Sequence, residues 1–143
     1  MRILLLSVLL VFGSAFAQPL RPDVYRHSNG EPPTGMDKRI VDSYRSYFNI
    51  VEIQGEGYVP PQPVAGAMAG EAIGPSGETV TGHVLIAFLV TADGRAAQPQ
   101  IIESSDRRLN PYAVRSVTLW RFKPATYKGK AVTTIAAQEF NFK

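Results

Sequence analysis

Few side chains in this sequence could do chemistry, and their spacing works against it. The two histidines are His27 and His83. His27 falls in a polar, proline-containing stretch. His83 opens an apolar strand-like run with no second ligand at metal spacing, which points to a polar residue at a sheet end. Ser104-Ser105-Asp106 sets two hydroxyls beside a carboxylate, but no histidine is placed by sequence to serve as their base, so a loop or helix-approach role is expected. Asp93, ahead of Gly94, has the setting of a turn residue. The glycine-rich stretch 66–77 lacks the Lys-Ser/Thr ending of a phosphate loop. The sequence holds no cysteine, which excludes thiol nucleophiles, disulfides, thiolate-bound metals and a lipid anchor on cysteine. No acid–base constellation can be drawn, so no catalytic, cofactor-binding or metal-binding residue is assigned and an enzyme is not expected.

Backbone chemistry is a different matter, and it depends on the elements that carry it. Thr81 to Thr91 reads as the strongest strand. Val84, Ile86, Phe88 and Val90 occupy one face and Leu85, Ala87 and Leu89 the other, so it is either central and covered on two sides or keeps one face for a partner. Asp93-Gly94 is a hairpin signal. The next strand, 97–104, contains Pro99, which cannot donate to a ladder and so implies an edge position or a bulge. Asn110 as N-cap and Pro111 at the first helical position start a helix. Its face is Ala113, Val114, Val117 and Trp120, and Pro124 stops it. A turn over Tyr127–Lys130 leads to a last strand, 131–142, whose apolar alternation slips between Ile135 and Phe140, suggesting a bulge or a change of face.

These pieces make an α+β unit, ββαβ, with a helix on one face of a small antiparallel sheet. The third strand can join antiparallel only beside the first, so the expected order is 2-1-3 and the third strand is an open edge.

The chain before this unit has another character. Residues 1–17 combine Arg2, a short apolar run and Ala15-Phe16-Ala17, the pattern of a cleaved signal peptide. Export to the periplasm is therefore expected. Residues 18–36 read as a flexible arm. Residues 37–58 hold a helix with Asp37 as N-cap and an Ile40, Val41, Tyr44, Tyr47, Phe48 stripe, then a strand near 49–54. That stripe either packs on the main domain or presents an aromatic surface to a partner. Residues 59–77 read as a Pro/Gly-rich linker, and 78–143 as the folded domain. Lys and Arg number five against seven Asp and Glu over 18–75, and nine against five over 76–143. Such a mild excess does not argue for nucleic acid; at most it makes a steering surface.

The order of motifs in the last third resembles the C-terminal domain family of TonB, the periplasmic energy transducer. The likeness is carried by Gly82-x-Val84-x-Ile86-x-Phe88-x-Val90 with Asp93-Gly94 behind it. It runs on through Ser104-Ser105, Leu109, Ala113, the Trp120-Arg121-Phe122-Lys123-Pro124-Ala125 run, Gly129-Lys130 and Phe140-x-Phe142. The resemblance implies a periplasmic interaction domain that binds outer-membrane transporter or other envelope peptides by β-strand addition, in connection with TonB-dependent transmembrane transport. On the open edge, Val132, Thr134, Ala136, Gln138 and Phe140 are the expected partner-binding residues. Gly82, Asp93, Gly94, Trp120, Phe122 and Pro124 are expected to be structural. Implied partners are an outer-membrane receptor or other periplasmic protein segment, a second copy of the chain, and an inner-membrane transduction complex; no cofactor is implied. The rival reading is a soluble envelope accessory or assembly factor that uses the same fold to dimerise or to bind a folded partner.

Overall fold

Apolar side chains on both faces of one extended run need cover on both sides, and this chain supplies two different covers. The computed structural model describes residues 20–28 and 35–143, so the expected leader at 1–17 lies outside the described residues. In chain order the elements are β1 (Asp23–His27), α1 (Gly35–Arg45), β2 (Asn49–Ile53), β3 (Tyr58–Val59), β4 (Gln62–Ala65), β5 (Ala72–Ile73), β6 (Thr79–Val80), β7 (Gly82–Val90) and β8 (Ala96–Ser104). There follow a 3₁₀ turn at Arg107–Leu109, α2 (Asn110–Thr118), β9 (Arg121–Lys123), β10 (Ala125–Tyr127), β11 (Lys130–Val132) and β12 (Thr134–Phe142).

The main sheet has five strands in the order β2-β1-β12-β7-β8. The three strands read from sequence are neighbours in it, with β7 between β12 and β8, but a three-stranded ββαβ sheet is too small a description, and the third strand, expected at the edge, lies between β1 and β7 because the chain ahead of it adds two strands. β1 and β2 run parallel with Tyr25 opposite Val51, and α1 provides the crossover that parallel neighbours need. β1 joins β12 in parallel through one residue pair, Tyr25 with Thr134. The stretch expected as a flexible arm thus contains a strand. Its sequence, Asp-Val-Tyr-Arg-His, hides it because only Val24 is buried, and the flanking polar residues are held by ion pairs such as Arg26–Glu52 at 2.9 Å.

Each face of β7 has its own core. Val84, Ile86, Phe88 and Val90 pack with Leu109, Ala113 and Val117 under α2, together with Phe140 and Phe142. On the other face Ala87 and Leu89 meet Tyr44 of α1 and Val24, with Ile40, Phe48 and Ile135 alongside. The helical stripe therefore covers the sheet, except for Tyr47, which is 66% exposed. Burying each large apolar side chain here contributes about 1.5–3 kcal/mol, which is how the sheet holds together without a disulfide. Asp37 lies within the first turn of α1 and bonds to Arg26 at 2.6 Å.

Further sequence expectations are corrected by local geometry. Asn110 is not the cap of the helical segment. The Asp106 side chain accepts from the Arg108 N–H at 2.9 Å, and the 3₁₀ turn it starts runs straight into α2. Trp120 follows α2, which ends at Thr118, and does not lie on it. The expected last strand is two: β11 forms a hairpin with β10 through Lys128-Gly129, both at positive φ as a type I′ turn requires. β12 has no bulge, since its register to β7 is continuous from Thr134–Val90 to Phe142–Gly82. The apolar alternation changes phase because Ile135 serves the α1 core and Phe140 the α2 core. Lastly, the expected linker 59–77 contains β4, paired with β9, and β5, paired with β6.

Candidate functional site

The residue types that could do chemistry are spent on structure. Ser105 Oγ accepts from the His83 N–H at 2.8 Å, Ser104 Oγ donates to the Asp106 carbonyl at 3.0 Å, and Asp106 caps the 3₁₀ turn. The Arg108 guanidinium and N–H hold the Asp106 carboxyl at about 2. His83 Nε2 lies 3.2 Å from Glu103, whose carboxyl is kept below its ordinary range first by that contact and then by Arg39. A carboxylate stabilised in its charged form beside a partly exposed histidine is not a poised acid. Among the described residues no group of three or more His, Asp or Glu could hold a metal ion.

The edges of the main sheet are more informative. β8 is an outer edge and is closed in several ways. Pro99 interrupts it, Gln98 sits at φ 49, and its register against β7 shifts twice. Two β8 carbonyls are bonded by side chains of α1: Tyr44 Oη donates to Gln98 O at 2.8 Å, and Arg39 donates to Ile102 O at 2.6 Å.

The side of β12 that faces away from β7 is built otherwise. Tyr25 N–H donates to Thr133 O at 2.8 Å, so the peptide group of Thr133 turns away from β7. Peptide groups alternate along a strand. Those of Ile135, Ala137, Glu139 and Asn141 therefore also turn outward. The same parity follows from β7, where the His83 carbonyl accepts from Ser105 on the β8 side, leaving the even residues of β7 to pair with the even residues of β12. Among the described residues no strand pairs with β12 beyond the Tyr25–Thr134 bridge.

This parity relocates the site residues expected from sequence. Val132 is buried in β11, in the separate β11-β10-β3 sheet. Thr134 is buried and meets Tyr25. Ala136, Gln138 and Phe140 lie on β12, but their peptide groups turn to Phe88, Ile86 and Val84, and Phe140 is buried with its ring 5.8 Å from Trp120. The outward groups belong to Ile135, Ala137, Glu139 and Asn141. Sequence could not find them, because parity is set by the register with β7 and not by residue type.

The structural residues lie behind this edge. Gly82 opens β7, with the Ser105 hydroxyl where a side chain would stand. In the β7–β8 turn, the Asp93 side chain accepts from Thr91 and from Arg95. Gly94 has φ 84, and a Cβ there would lie 2.2 Å from Phe122 O; the Phe122 N–H donates to Gly94 O at 2.8 Å. Trp120 packs edge-on to Phe88, with ring centroids 6.2 Å apart, and its Nε1 donates to Ala67 O at 2.8 Å. Phe122 lies 5.8 Å from Phe88, and Pro124 separates β9 from β10.

Residues 78–143 match the family described as Gram-negative bacterial TonB protein C-terminal. This stretch is similar to the TonB C-terminal domain family. Over 65 residues the chain is 37% identical to Protein TonB of Pseudomonas aeruginosa, an alignment covering 45% of this chain and 19% of that protein. The solution NMR structure of the Pseudomonas aeruginosa TonB C-terminal domain is 27% identical and covers 58% of this chain and 85% of that one, with a TM-score of 0.45. The matched stretch contains β7, β8, α2 and β12. The β1-α1-β2 unit and β4 come from the chain ahead of it.

Proposed function

We propose that the β12 edge from Ala137 to Asn141 takes up an extended segment of an envelope protein by β-strand addition. On this reading the chain acts in the periplasm, after export, in TonB-dependent transport, with the periplasmic segment of an outer-membrane receptor as its ligand and an inner-membrane transduction complex as a further partner. No chemical step is required of it. The supporting observation is the alternation on β12: a regular strand carrying three outward peptide groups, at Ala137, Glu139 and Asn141, beyond its bridge to Tyr25, beside an edge on β8 that is blocked. Added backbone hydrogen bonds would supply affinity, and alternate side chains would supply selectivity.

Amide hydrogen exchange tests the reading with a synthetic peptide from the periplasm-facing N-terminal segment of an outer-membrane transporter. Peptide should slow exchange at Ala137, Glu139 and Asn141, while Ala136, Gln138 and Phe140, already bonded to β7, and Ile135, whose N–H faces Tyr25 in the bridge, change little. Ala137→Pro removes an outward donor at a position where an edge strand tolerates proline, so it should keep its circular dichroism and bind about 100-fold more weakly, about 2.7 kcal/mol. Uniform protection, or wild-type binding by folded Ala137→Pro, would refute strand addition here.

A further inference from the structure

The surface beside the open edge is not the same on the two faces of the sheet. On the α1 face β12 presents Ala137, Glu139 and Asn141, all exposed. On the opposite face α2 packs over β7 and β8 and reaches the end of β12 through Tyr112 and Phe142, and Gln138 of β12 has a different neighbour, the segment 63–68. That segment is fixed in place. Gly66 lies so close over Trp120 that a Cβ would be 2.2 Å from its Cδ1, and both Trp120 Nε1 and Ser116 Oγ donate to Ala67 O. Between the segment, Trp120 and Gln138 of β12 is a cleft of about 350 Å³ with no charged residue in its lining. Two of its walls are apolar side chains left in solvent, Val64 at 67% and Met68 at 61% exposed. The strand that leads into the segment, β4, is itself held by β9, with Gln62 opposite Lys123 and Ala65 opposite Arg121.

We propose that this cleft is a side-chain pocket that selects the docked strand: it takes one large apolar residue, carried opposite Gln138, from an extended peptide. The proposal rests on strand addition at β12 and adds to it the chemistry of the ligand. A strand laid on β12 lies about 4.8 Å away, and its side chains alternate between faces in step with those of β12. The residue opposite Gln138 therefore points to the α2 face, beside the cleft, whereas its neighbours point to the polar face. Gln138 now bonds through Nε2 to Glu139 O at 2.7 Å. It thus occupies one of the outward acceptors and the pocket wall together, and a docking strand displaces it from both. The residues that make the pocket specific precede 78–143, so the selectivity belongs to this chain's own leading segment and not to the matched stretch alone.

The test uses the full mature chain and fluorescein-labelled host peptides rich in threonine and alanine, with Leu, Phe, Gly or Asp scanned through each position. Fluorescence anisotropy should show Leu or Phe favoured about tenfold over Gly at one position only, as expected for burial of an apolar side chain worth about 1.4 kcal/mol. Val64→Asp and Met68→Asp, both at exposed positions, should erase that preference while binding the Gly host within about twofold of wild type. If wild type binds the hosts with Ala137, Glu139 and Asn141 protected but without positional preference, or if both variants keep the preference, the pocket is refuted and strand addition stands. If no host binds at all, strand addition fails and the pocket with it. A dimer by sedimentation that host peptide does not dissociate would make a second copy the occupant and overturn the proposal.

Discussion

β8 and β12 flank the same central strand, and they treat solvent in opposite ways. β8 combines a proline, a left-handed residue, two register shifts and two carbonyls bonded by α1. β12 is nine residues of unbroken register with, among the described residues, one strand pair on its other side, at Thr134. An exposed strand edge is a template for unwanted pairing, and proteins usually blunt it. This chain blunts one edge thoroughly, so the openness of the other is selective. The difference teaches that the β1-α1-β2 unit is more than an extension of the sheet. Its helix closes the β8 edge, and its first strand touches only the beginning of the β12 edge.

Breaking the closed side should have the largest effect. Tyr44 is fully buried and its hydroxyl bonds to Gln98 O, so Tyr44→Ala is expected to cost about 3–5 kcal/mol by urea unfolding. Tyr44→Phe, which removes only the hydrogen bond, should cost about 1 kcal/mol. If the two variants are equally destabilised, α1 is not held by its apolar packing. On the open side the support is Trp120, which is only partly buried, and Trp120→Ala should cost about 2–3 kcal/mol, less than a fully buried tryptophan would. Near-UV circular dichroism of that variant should report loss of the Phe88–Trp120–Phe140 packing. A loss larger than that of Tyr44→Ala would reverse the ranking of the two sides.

Acid gives the smallest change and sharpens the comparison. The Glu103 carboxyl is depressed by His83 and then by Arg39. A depressed carboxyl contributes stability that is present above its unfolded value, about 4.3, and is lost as pH falls through its lower native value. Unfolding measured from pH 6 down to pH 2 should show α1 loosening from β8 in this range, and Glu103→Gln should flatten that part of the profile. An unchanged profile would mean that Arg39 holds α1 through the Ile102 carbonyl alone.

The parts legible in the sequence were those fixed by local chemistry. Two apolar faces marked β7 as central, Pro99 marked β8 as interrupted, and Asp93-Gly94 marked the turn between them. Helix α2 was legible, but its start was not, because Asp106 acts through a 3₁₀ turn that periodicity does not register. β1 was invisible since one buried valine among polar residues leaves no pattern, and β4 since Pro63 argues against a strand. The site divided in the same way. The strand β12 could be placed from topology, but which of its peptide groups turn outward could not, because backbone direction depends on pairing with β7. The segment 63–68 read as linker because its composition is small and glycine-rich, and only its position on Trp120 gives it a role.

The single Tyr25–Thr134 pair also bears on the order in which the chain assembles. It joins residues near opposite ends of the sequence, and closing so long a loop is costly in entropy for one strand contact. The β7–β8 hairpin, α2 and β12 form from much nearer partners, and with them the outward row of peptide groups is already complete. β1 and its helix are then the last to arrive. In a newly folding chain this outward row would precede its own boundary, so for a short interval the whole length of β12, Thr134 included, would be open to a competing strand.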